Sequence, residues 1–194
     1  MVCRRDWSGS TPDAMPVKPP SHIAAAKFEM PELAFVALGS NLGDAVGNVR
    51  RAMDRLQELT DLPLLRSSLW QSTPVDCPPG SPLFVNAVVG LGPRPGESPE
   101  LLLEKMQDLE KEFGREPKRV LNEPRPLDLD LILFGRQQRD TPRLILPHPR
   151  AHSRRFVLQP LSEIAPDLIL PGQVLNVRQL FETTEPSQKL LRVD

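Results

Sequence analysis

Two aspartates alternate with leucines in the segment Leu127–Phe134, which is otherwise apolar. Because successive side chains of a strand point to opposite faces, Asp128 and Asp130 are expected on one face, about 6.6 Å apart at the backbone. Both carboxylates can therefore reach one cation or a pair of cations. Oxygen ligands suit Mg²⁺, which usually shares its coordination shell with water and substrate phosphates. The pair is therefore a candidate magnesium site.

A solvated sheet face beside a loop is the alternative interpretation of the two aspartates, and their alternation taken alone favours it. Without a counter-ion, however, two carboxylates this close repel each other, which raises the pKa of at least one of them and destabilises the strand. Ile132 and Phe134 are expected on the same face as the acids. These apolar neighbours favour a metal site, which we therefore predict.

Basic residues gather around the two aspartates. Residues 114–155 contain ten Lys or Arg and five Asp or Glu, whereas the whole chain has a formal net charge of −1. Arginine suits phosphate because its planar guanidinium donates two parallel hydrogen bonds and stays charged. Four arginines lie near Pro or Gly, where loops present side chains to ligands: Arg115, Arg125, Arg143 and Arg154. The pattern predicts a metal–triphosphate site, whereas Arg136, Arg139 and Arg150 are interpreted as solvated surface charges.

The overall composition excludes several classes of protein. The 24 Lys or Arg nearly cancel the 25 Asp or Glu, so nothing predicts a general nucleic-acid-binding protein. No apolar run reaches the roughly 20 residues of a membrane helix, so no membrane partner is expected. Cys3 and Cys77 exclude a disulfide scaffold and suit a cytoplasmic location. The segment Gly39–Gly43 lacks the Walker pattern and by itself indicates nothing about phosphate.

Apolar periodicity predicts a set of short strands and helices. The predicted strands are Leu33–Leu38, Leu64–Trp70, Phe84–Leu91, Leu127–Phe134 and Leu144–Leu146. The predicted helices cover Val49–Leu59, 98–113, part of Phe156–Ile164 and Val177–Phe181. This order favours an α+β sandwich of the ferredoxin-like type, a mainly antiparallel sheet with helices packed on it. We expect a disordered extension over 1–31, one domain over 32–184 and a tail over 185–194.

Several motifs occur together in an order that resembles the 6-hydroxymethyl-7,8-dihydropterin pyrophosphokinase family. The resemblance covers about residues 33–171 and rests on Ala37–Gly43, Thr73-Pro74, Phe84–Ala87, Pro124–Asp130, Leu146–Pro149 and Arg154–Leu161. It implies a ferredoxin-like fold and a Mg²⁺-dependent transfer of pyrophosphate from ATP to the pterin hydroxymethyl group, which releases AMP in folate biosynthesis. The implied partners are therefore small molecules, and we expect a monomer.

The resemblance also implies roles for individual residues. Asp128 and Asp130 match the carboxylates that hold two Mg²⁺ ions, and Arg115 and Arg125 match catalytic-loop arginines. The residues that match the ATP-binding set are Gln107, Glu110, Arg143, His148 and Arg154. The residues that match the pterin pocket are Thr73, Pro74, Val75, Phe84, Asn86 and Phe156. The loops over 73–82 and 115–126 are candidate lids.

Three interpretations of the chain remain open at this point. The first is the pyrophosphokinase, and the second is a non-catalytic module that binds a nucleotide or a pterin. The third is a metal-dependent transferase that acts on another phosphorylated substrate. Phe84 and Phe156 have their own alternative, because both residues could simply belong to the hydrophobic core.

Overall fold

A computed structural model describes residues 32–75, 77–116, 123–186 and 189–194. The extension expected over 1–31 lies outside these residues, and so does the central part of the second candidate lid. None of the described helices is long and apolar enough to cross a membrane.

The described residues form a six-stranded antiparallel sheet, a two-stranded ribbon and four α-helices. The strands are β1 Ala34–Ser40, β2 Leu65–Arg66, β3 Trp70–Ser72, β4 Phe84–Leu91, β5 Asp128–Phe134, β6 Arg139–Asp140, β7 Ile145–Leu146 and β8 Leu190–Arg192. The helices are α1 Ala45–Gln57, α2 Pro99–Glu112, α3 Arg155–Ile164 and α4 Val177–Thr183. The main sheet has the order β5-β1-β4-β3-β8, with β2 beside β4, and β6 pairs with β7. The predicted α+β sandwich with a mainly antiparallel sheet is confirmed.

Local sequence explains where the first two helices begin. The Asp44 side chain accepts a hydrogen bond from the Gly47 N–H, and the Ser98 side chain accepts one from the Leu101 N–H. Each bond satisfies a backbone donor that the first turn of a helix otherwise leaves unpaired. Pro99 suits the first turn of α2 because its fixed φ is already helical.

The sheet separates two hydrophobic layers. Side chains from α1 and α2 pack on one face against residues such as Val36, Leu129 and Leu131. The second layer, which includes Val88 and residues of α3 and α4, covers the other face. Strands β1, β4 and β5 therefore lie between two layers of helix, which fixes the strands that carry the predicted aspartates.

A β-bulge in β5 changes one prediction about its faces. Phe35 pairs with Leu133 and Val36 pairs with Leu131, so Ile132 is an extra residue on β5. Ile132 stays on the face of the aspartates, but the strict alternation ends there. Phe134 packs in the α1 and α2 layer instead. The expectation that Phe134 shares the face of the aspartates is therefore wrong, because a bulge reverses the faces beyond it.

The single strand predicted over Leu64–Trp70 is instead two short strands. Arg66 pairs with Val89 and Trp70 pairs with Asn86, so four steps along one chain match three steps along β4. The extra residue interrupts the ladder between β2 and β3. At the other end of the sequence, β8 pairs with β3, so residues expected as a tail supply an edge strand.

Candidate active site

A cavity of about 270 Å³ opens above the ends of β1, β4 and β5. Its lining joins residues from the sheet, the first candidate lid and the chain around the start of α3: Ala37, Leu38, Gly39, Ser72, Thr73, Val75, Cys77, Phe84, Asn86, Arg125, Asp128, Asp130, Arg150, Ser153, Arg154, Arg155 and Phe156. We call Asp128, Asp130, Arg125 and Arg154 the charged half of the cavity. We call Thr73, Val75, Phe84, Asn86 and Phe156 the aromatic half.

Gly39 lies where the two halves meet. It pairs with Asn86 on one side and with Asp128 on the other. A Cβ atom on Gly39 would lie 3.6 Å from Asn86 Oδ1, 3.8 Å from Phe84 Cδ1 and 4.0 Å from Asp128 Cβ. The glycine therefore keeps open a gap that any larger side chain would fill.

Asp128 is held between two guanidinium groups. Its Oδ1 lies 2.8 Å from Arg115 Nη1, and its Oδ2 lies 2.5 Å from Arg125 Nη2. All three side chains are less than one-fifth exposed, so solvent screens these charges weakly. The two arginines therefore largely neutralise Asp128 and fix its orientation.

The negative charge of Asp130 is compensated much more weakly than that of Asp128. Among the described residues its nearest cation is Arg154, whose Nη1 lies 3.7 Å from Asp130 Oδ2. Burial and then the neighbouring charge of Asp128 raise the pKa of Asp130 above its ordinary value. Burial also lowers the pKa of His148, despite the opposite effect of Asp130. The lowered pKa favours the neutral form of His148, which therefore adds less positive charge to the site than an ordinary histidine would.

The chemistry of this donor set fits Mg²⁺. The described residues contain no cluster of three or more His, Cys, Asp or Glu that could hold a metal ion without other ligands. Asp128 and Asp130 instead offer only carboxylate oxygens on one wall of an open cavity. Mg²⁺ is usually bound in this way, by one or two carboxylates together with water and substrate phosphates. The residues present therefore suit a cation that arrives with a phosphate ligand.

Glu110 supports the charged half from behind. It is 6% exposed on α2, and its Oε1 accepts a 2.7 Å hydrogen bond from the Leu129 N–H. Its carboxylate also contacts the Arg115 guanidinium. Burial raises the pKa of Glu110 from 4.5 to about 7. The residue thus links α2, β5 and Arg115 without lining the cavity.

Two phenylalanines form the walls of the aromatic half. Phe84 begins β4 and Phe156 lies in the first turn of α3, and both rings line the cavity. This position favours a binding role over the alternative that both rings are simply core. An arginine of the charged half lies over each ring, with Arg125 5.7 Å from Phe84 and Arg154 5.4 Å from Phe156. These cation–π contacts connect the two halves.

Asn86 is the buried amide of the aromatic half. Its side chain is 4% exposed and donates from Nδ2 to Ser72 Oγ at 2.9 Å and to the Trp70 carbonyl at 3.3 Å. Both contacts lie on β3, so the neighbouring strand fixes the rotation of the amide. The protein's own contacts therefore set the orientation of the Asn86 amide.

Comparisons with known proteins now decide the family. The model described as "7,8-dihydro-6-hydroxymethylpterin-pyrophosphokinase (HPPK)" matches residues 35–166. The chain belongs to this family. A relative from Pseudomonas aeruginosa named 2-amino-4-hydroxy-6-hydroxymethyldihydropteridine pyrophosphokinase is 41% identical over 143 residues, covering 73% of this chain and 86% of the relative. The enzyme of the same name from Haemophilus influenzae is 40% identical over 140 residues, covering 72% and 85%.

Solved structures agree on the fold. The HPPK-DHPS triple mutant of Plasmodium falciparum with pteroate aligns with a TM-score of 0.56 at 11% sequence identity, covering 81% of this chain and 44% of that chain. An HPPK-DHPS structure in complex with substrates aligns with a TM-score of 0.59 at 11% identity, covering 79% and 43%. The chain thus spans less than half of these longer proteins. At such low identity the similarity concerns the fold alone.

Some residues that the pyrophosphokinase resemblance singled out lie away from the cavity lining. Gln107 is exposed on α2, and Pro74 is half-buried beside two residues that do line the cavity. Arg143 is exposed and forms a 3.0 Å ion pair with Glu104. Their roles in binding remain predictions.

The cavity also includes arginines that the sequence did not single out. Arg150, interpreted above as a surface charge, lines the cavity because a short 3₁₀ turn over Ala151–Ser153 brings it near Arg154. Pro147 and Pro149 indicated a stiff backbone just before this turn, but the turn itself was not predicted. Arg155 also lines the cavity, and its Nη1 donates to the carbonyls of Phe181 and Thr184 at 3.0 and 2.6 Å. That arginine therefore ties the start of α3 to the end of α4.

Proposed function

We propose that this cavity transfers pyrophosphate from ATP to 6-hydroxymethyl-7,8-dihydropterin and forms the pterin diphosphate and AMP. Membership of a pyrophosphokinase family supports the reaction. The observation that carries the proposal is the joining of two unlike surfaces in one cavity. An aspartate pair beside arginines adjoins a slot between two phenylalanines that contains an oriented amide.

The aromatic half suits a pterin. A flat heteroaromatic ring between Phe84 and Phe156 would gain offset stacking of about 0.5–1.5 kcal/mol for each ring. The Asn86 amide offers a hydrogen-bond acceptor to the ring edge, because its donors already bind Ser72 and Trp70. Thr73, Pro74 and Val75 of the first candidate lid would complete the pterin site.

The charged half suits the triphosphate of ATP. We infer that Asp128 and Asp130 hold two Mg²⁺ ions, which when bound offset the negative charge of the phosphates. Arg154 lies beside the aspartates, and we include Gln107, Glu110, Arg143 and His148 in the proposed nucleotide set because they match the family pattern. Glu110 would act indirectly, by accepting a hydrogen bond from the Leu129 N–H of β5 and by contacting Arg115.

The transfer makes one bond and breaks another. The pterin hydroxyl oxygen bonds to the β-phosphorus of ATP, and the bond from that phosphorus to the α,β-bridging oxygen breaks. The hydroxyl proton passes to solvent water, and AMP leaves with the bridging oxygen. Arg115 and Arg125 would stabilise the charge that develops on the phosphate oxygens, since both guanidinium groups already lie beside Asp128. The cavity would hold the two substrates in line for the transfer.

A nucleotide assay tests this function directly. The chain should release AMP from ATP with Mg²⁺ only when 6-hydroxymethyl-7,8-dihydropterin is also present. Release of ADP, or no turnover, would contradict the proposal. Tight ATP binding without Mg²⁺ and without turnover would instead indicate the non-catalytic module. Pterin binding that needs an ATP analogue would exclude a transferase for another substrate.

We further propose that the enzyme works in the cytoplasm. The two cysteines of the sequence suit a reducing cytoplasm, and small-molecule substrates require no nucleic-acid or membrane partner. We also propose a monomer with its pyrophosphokinase domain over 32–184, to which β8 adds an edge strand. Sedimentation at micromolar concentration would test the oligomeric state.

A further inference from the structure

One residue of the segment Gly39–Gly43 is unusually buried for its place in the fold. Asn41 follows the last residue of β1 and is only 3% exposed, whereas Leu42 and Gly43, next along the same turn, are exposed. Asparagine in a turn is usually exposed. The burial of Asn41 therefore calls for a specific contact.

That contact is with the backbone of Arg125. The Asn41 N–H donates to the Arg125 carbonyl at 3.2 Å, and the Arg125 N–H donates to Asn41 Oδ1 at 2.9 Å. The side-chain oxygen takes the place that a strand carbonyl would otherwise have. Asn41 thus binds both backbone polar groups of an arginine that is 84 residues away in sequence.

The sequence around Arg125 makes this contact hard to replace. Pro124 and Pro126 flank the arginine, and proline has no backbone N–H. The Arg125 N–H is therefore the only backbone donor of this three-residue segment, and Asn41 Oδ1 accepts its hydrogen bond. Loss of the Asn41 oxygen would leave the segment without that hydrogen bond, and neither proline could donate another.

The side chain of Arg125 carries this restraint into the cavity. Its Nη2 lies 2.5 Å from Asp128 Oδ2, and its guanidinium lies 5.7 Å from the centre of the Phe84 ring. Arg125 therefore touches both the charged and the aromatic halves. A shift of its backbone would move the guanidinium relative to both, and small misplacements of catalytic groups are costly.

We propose that Asn41 is a positioning residue that aims Arg125, so that the turn after β1 serves to hold a guanidinium. Asn41 acts only through the arginine and touches no substrate. The effect on catalysis rests on the function proposed above, whereas the restraint on the Arg125 backbone does not. The two can therefore be tested separately.

Amide hydrogen exchange and kinetics of Asn41→Ala test the inference. The Arg125 amide should exchange at least about tenfold faster than in the wild type, while the Leu131 amide within β5 keeps its rate. The kcat for AMP formation should fall by about 10- to 100-fold. In an Arg125→Ala background, Asn41→Ala should lower kcat by less than about threefold further, because coupled residues are not additive.

Thr60→Val is the matched control for loss of a buried hydrogen bond. Thr60 is 5% exposed, and its hydroxyl donates to the Gly92 carbonyl at 2.7 Å, outside the cavity lining. This variant should lose stability but keep both the kcat and the Arg125 amide exchange rate. A fall in kcat as large as that of Asn41→Ala would overturn the inference.

Other outcomes would also overturn it. Unchanged exchange of the Arg125 amide in Asn41→Ala would show that Asn41 does not hold the segment, whether or not the chain is active. Fully additive losses with Arg125→Ala would show that Asn41 acts by another route. If Asn41→Ala does not fold, Asn41→Asp keeps an oxygen acceptor and should keep the Arg125 amide protected. Rapid exchange in Asn41→Asp would then count against the inference.

Discussion

The two halves of the cavity are organised by different physical means. The aromatic half is held by the fold itself, because Asn86 is fixed by Ser72 and Trp70 and the two rings belong to regular elements. In the charged half, the negative charges of the two aspartates are compensated unequally. Asp128 lies between two guanidinium groups, whereas the nearest cation to Asp130 in the described part of the chain is Arg154, at 3.7 Å. Substitutions in the two halves should therefore affect different steps, binding in one and the rate of transfer in the other.

Asp130→Asn should have the largest effect on rate. We expect kcat for AMP formation to fall by about 1,000-fold, because the variant loses a proposed metal ligand. Its Tm should stay equal or rise, since burial and Asp128 raise the pKa of Asp130 and so make its charge unfavourable in the fold. Asp140→Asn, at an exposed position on β6, is the control and should change neither quantity. Normal turnover in Asp130→Asn would remove this residue from the metal site.

Asp128→Asn should lower both the rate and the stability. The rate should fall about as far as in Asp130→Asn, but here Arg115 and Arg125 also lose a charged partner. Hydrogen bonds to charged groups contribute about 1.5–3 kcal/mol, so we expect the free energy of unfolding to fall by about 1–3 kcal/mol. Steady-state kinetics and urea unfolding would compare the kcat and the free energy of unfolding of the two aspartate variants. Equal stability of the two variants would contradict the unequal compensation of the acids.

Glu110→Gln should change how stability depends on pH. Because burial raises the pKa of Glu110 from 4.5 to about 7, the folded protein binds more protons than the unfolded chain between these values. The wild type should therefore lose stability as pH rises from about 4.5 to about 7, by up to about 3 kcal/mol from this group. Glu110→Gln lacks that loss, so its stability relative to the wild type should improve over the same range.

Urea unfolding of both proteins at pH 5 and pH 8 would measure this difference. Contributions from all other groups cancel in the comparison as long as the variant keeps the contacts of Arg115 and Leu129. A difference in stability that does not vary with pH would mean that Glu110 is already ionised at pH 5.

Phe156→Leu should affect binding in the aromatic half. The variant keeps apolar bulk but loses the ring, so the KM for the pterin should rise by about 3- to 10-fold, as expected for a lost stacking interaction. The Kd for an ATP analogue should change by less than about threefold, although Arg154 lies over this ring. Phe113→Leu, at the end of α2 and outside the cavity lining, is the control. An equal loss of ATP affinity would contradict the separation of the two halves.

Local sequence patterns predicted the elements that position the site. The apolar runs of β1 and β4, the capped helix α2 and the alternating aspartates of β5 all depend on neighbours in sequence, and all are present. The cavity also contains both phenylalanines and the buried amide that the family resemblance singled out.

Features that depend on distant partners were not predictable in this way. The bulge at Ile132 follows from pairing with β1, and β8 forms only because β3 offers it an edge. Arg150 and Arg154 meet through a short turn that apolar periodicity does not report. The contact of Asn41 with Arg125 is invisible for the same reason, since two loops far apart in sequence must first be brought together by the sheet.

Arg143→Ala should have the smallest effect and so mark the outer limit of the charged half. Arg143 matches the nucleotide-binding pattern, but its guanidinium pairs with Glu104 at 3.0 Å and both side chains are about half exposed. Exposed ion pairs contribute about 0–1 kcal/mol, so Arg143 can leave Glu104 for a phosphate at little cost and gain little from doing so. We expect the KM for ATP to rise by less than about fivefold, with kcat unchanged. Glu104→Ala, which frees Arg143, should leave the KM for ATP equal or slightly lower. A tenfold or larger loss of ATP affinity in Arg143→Ala would show that the charged half extends to this residue when ATP is bound.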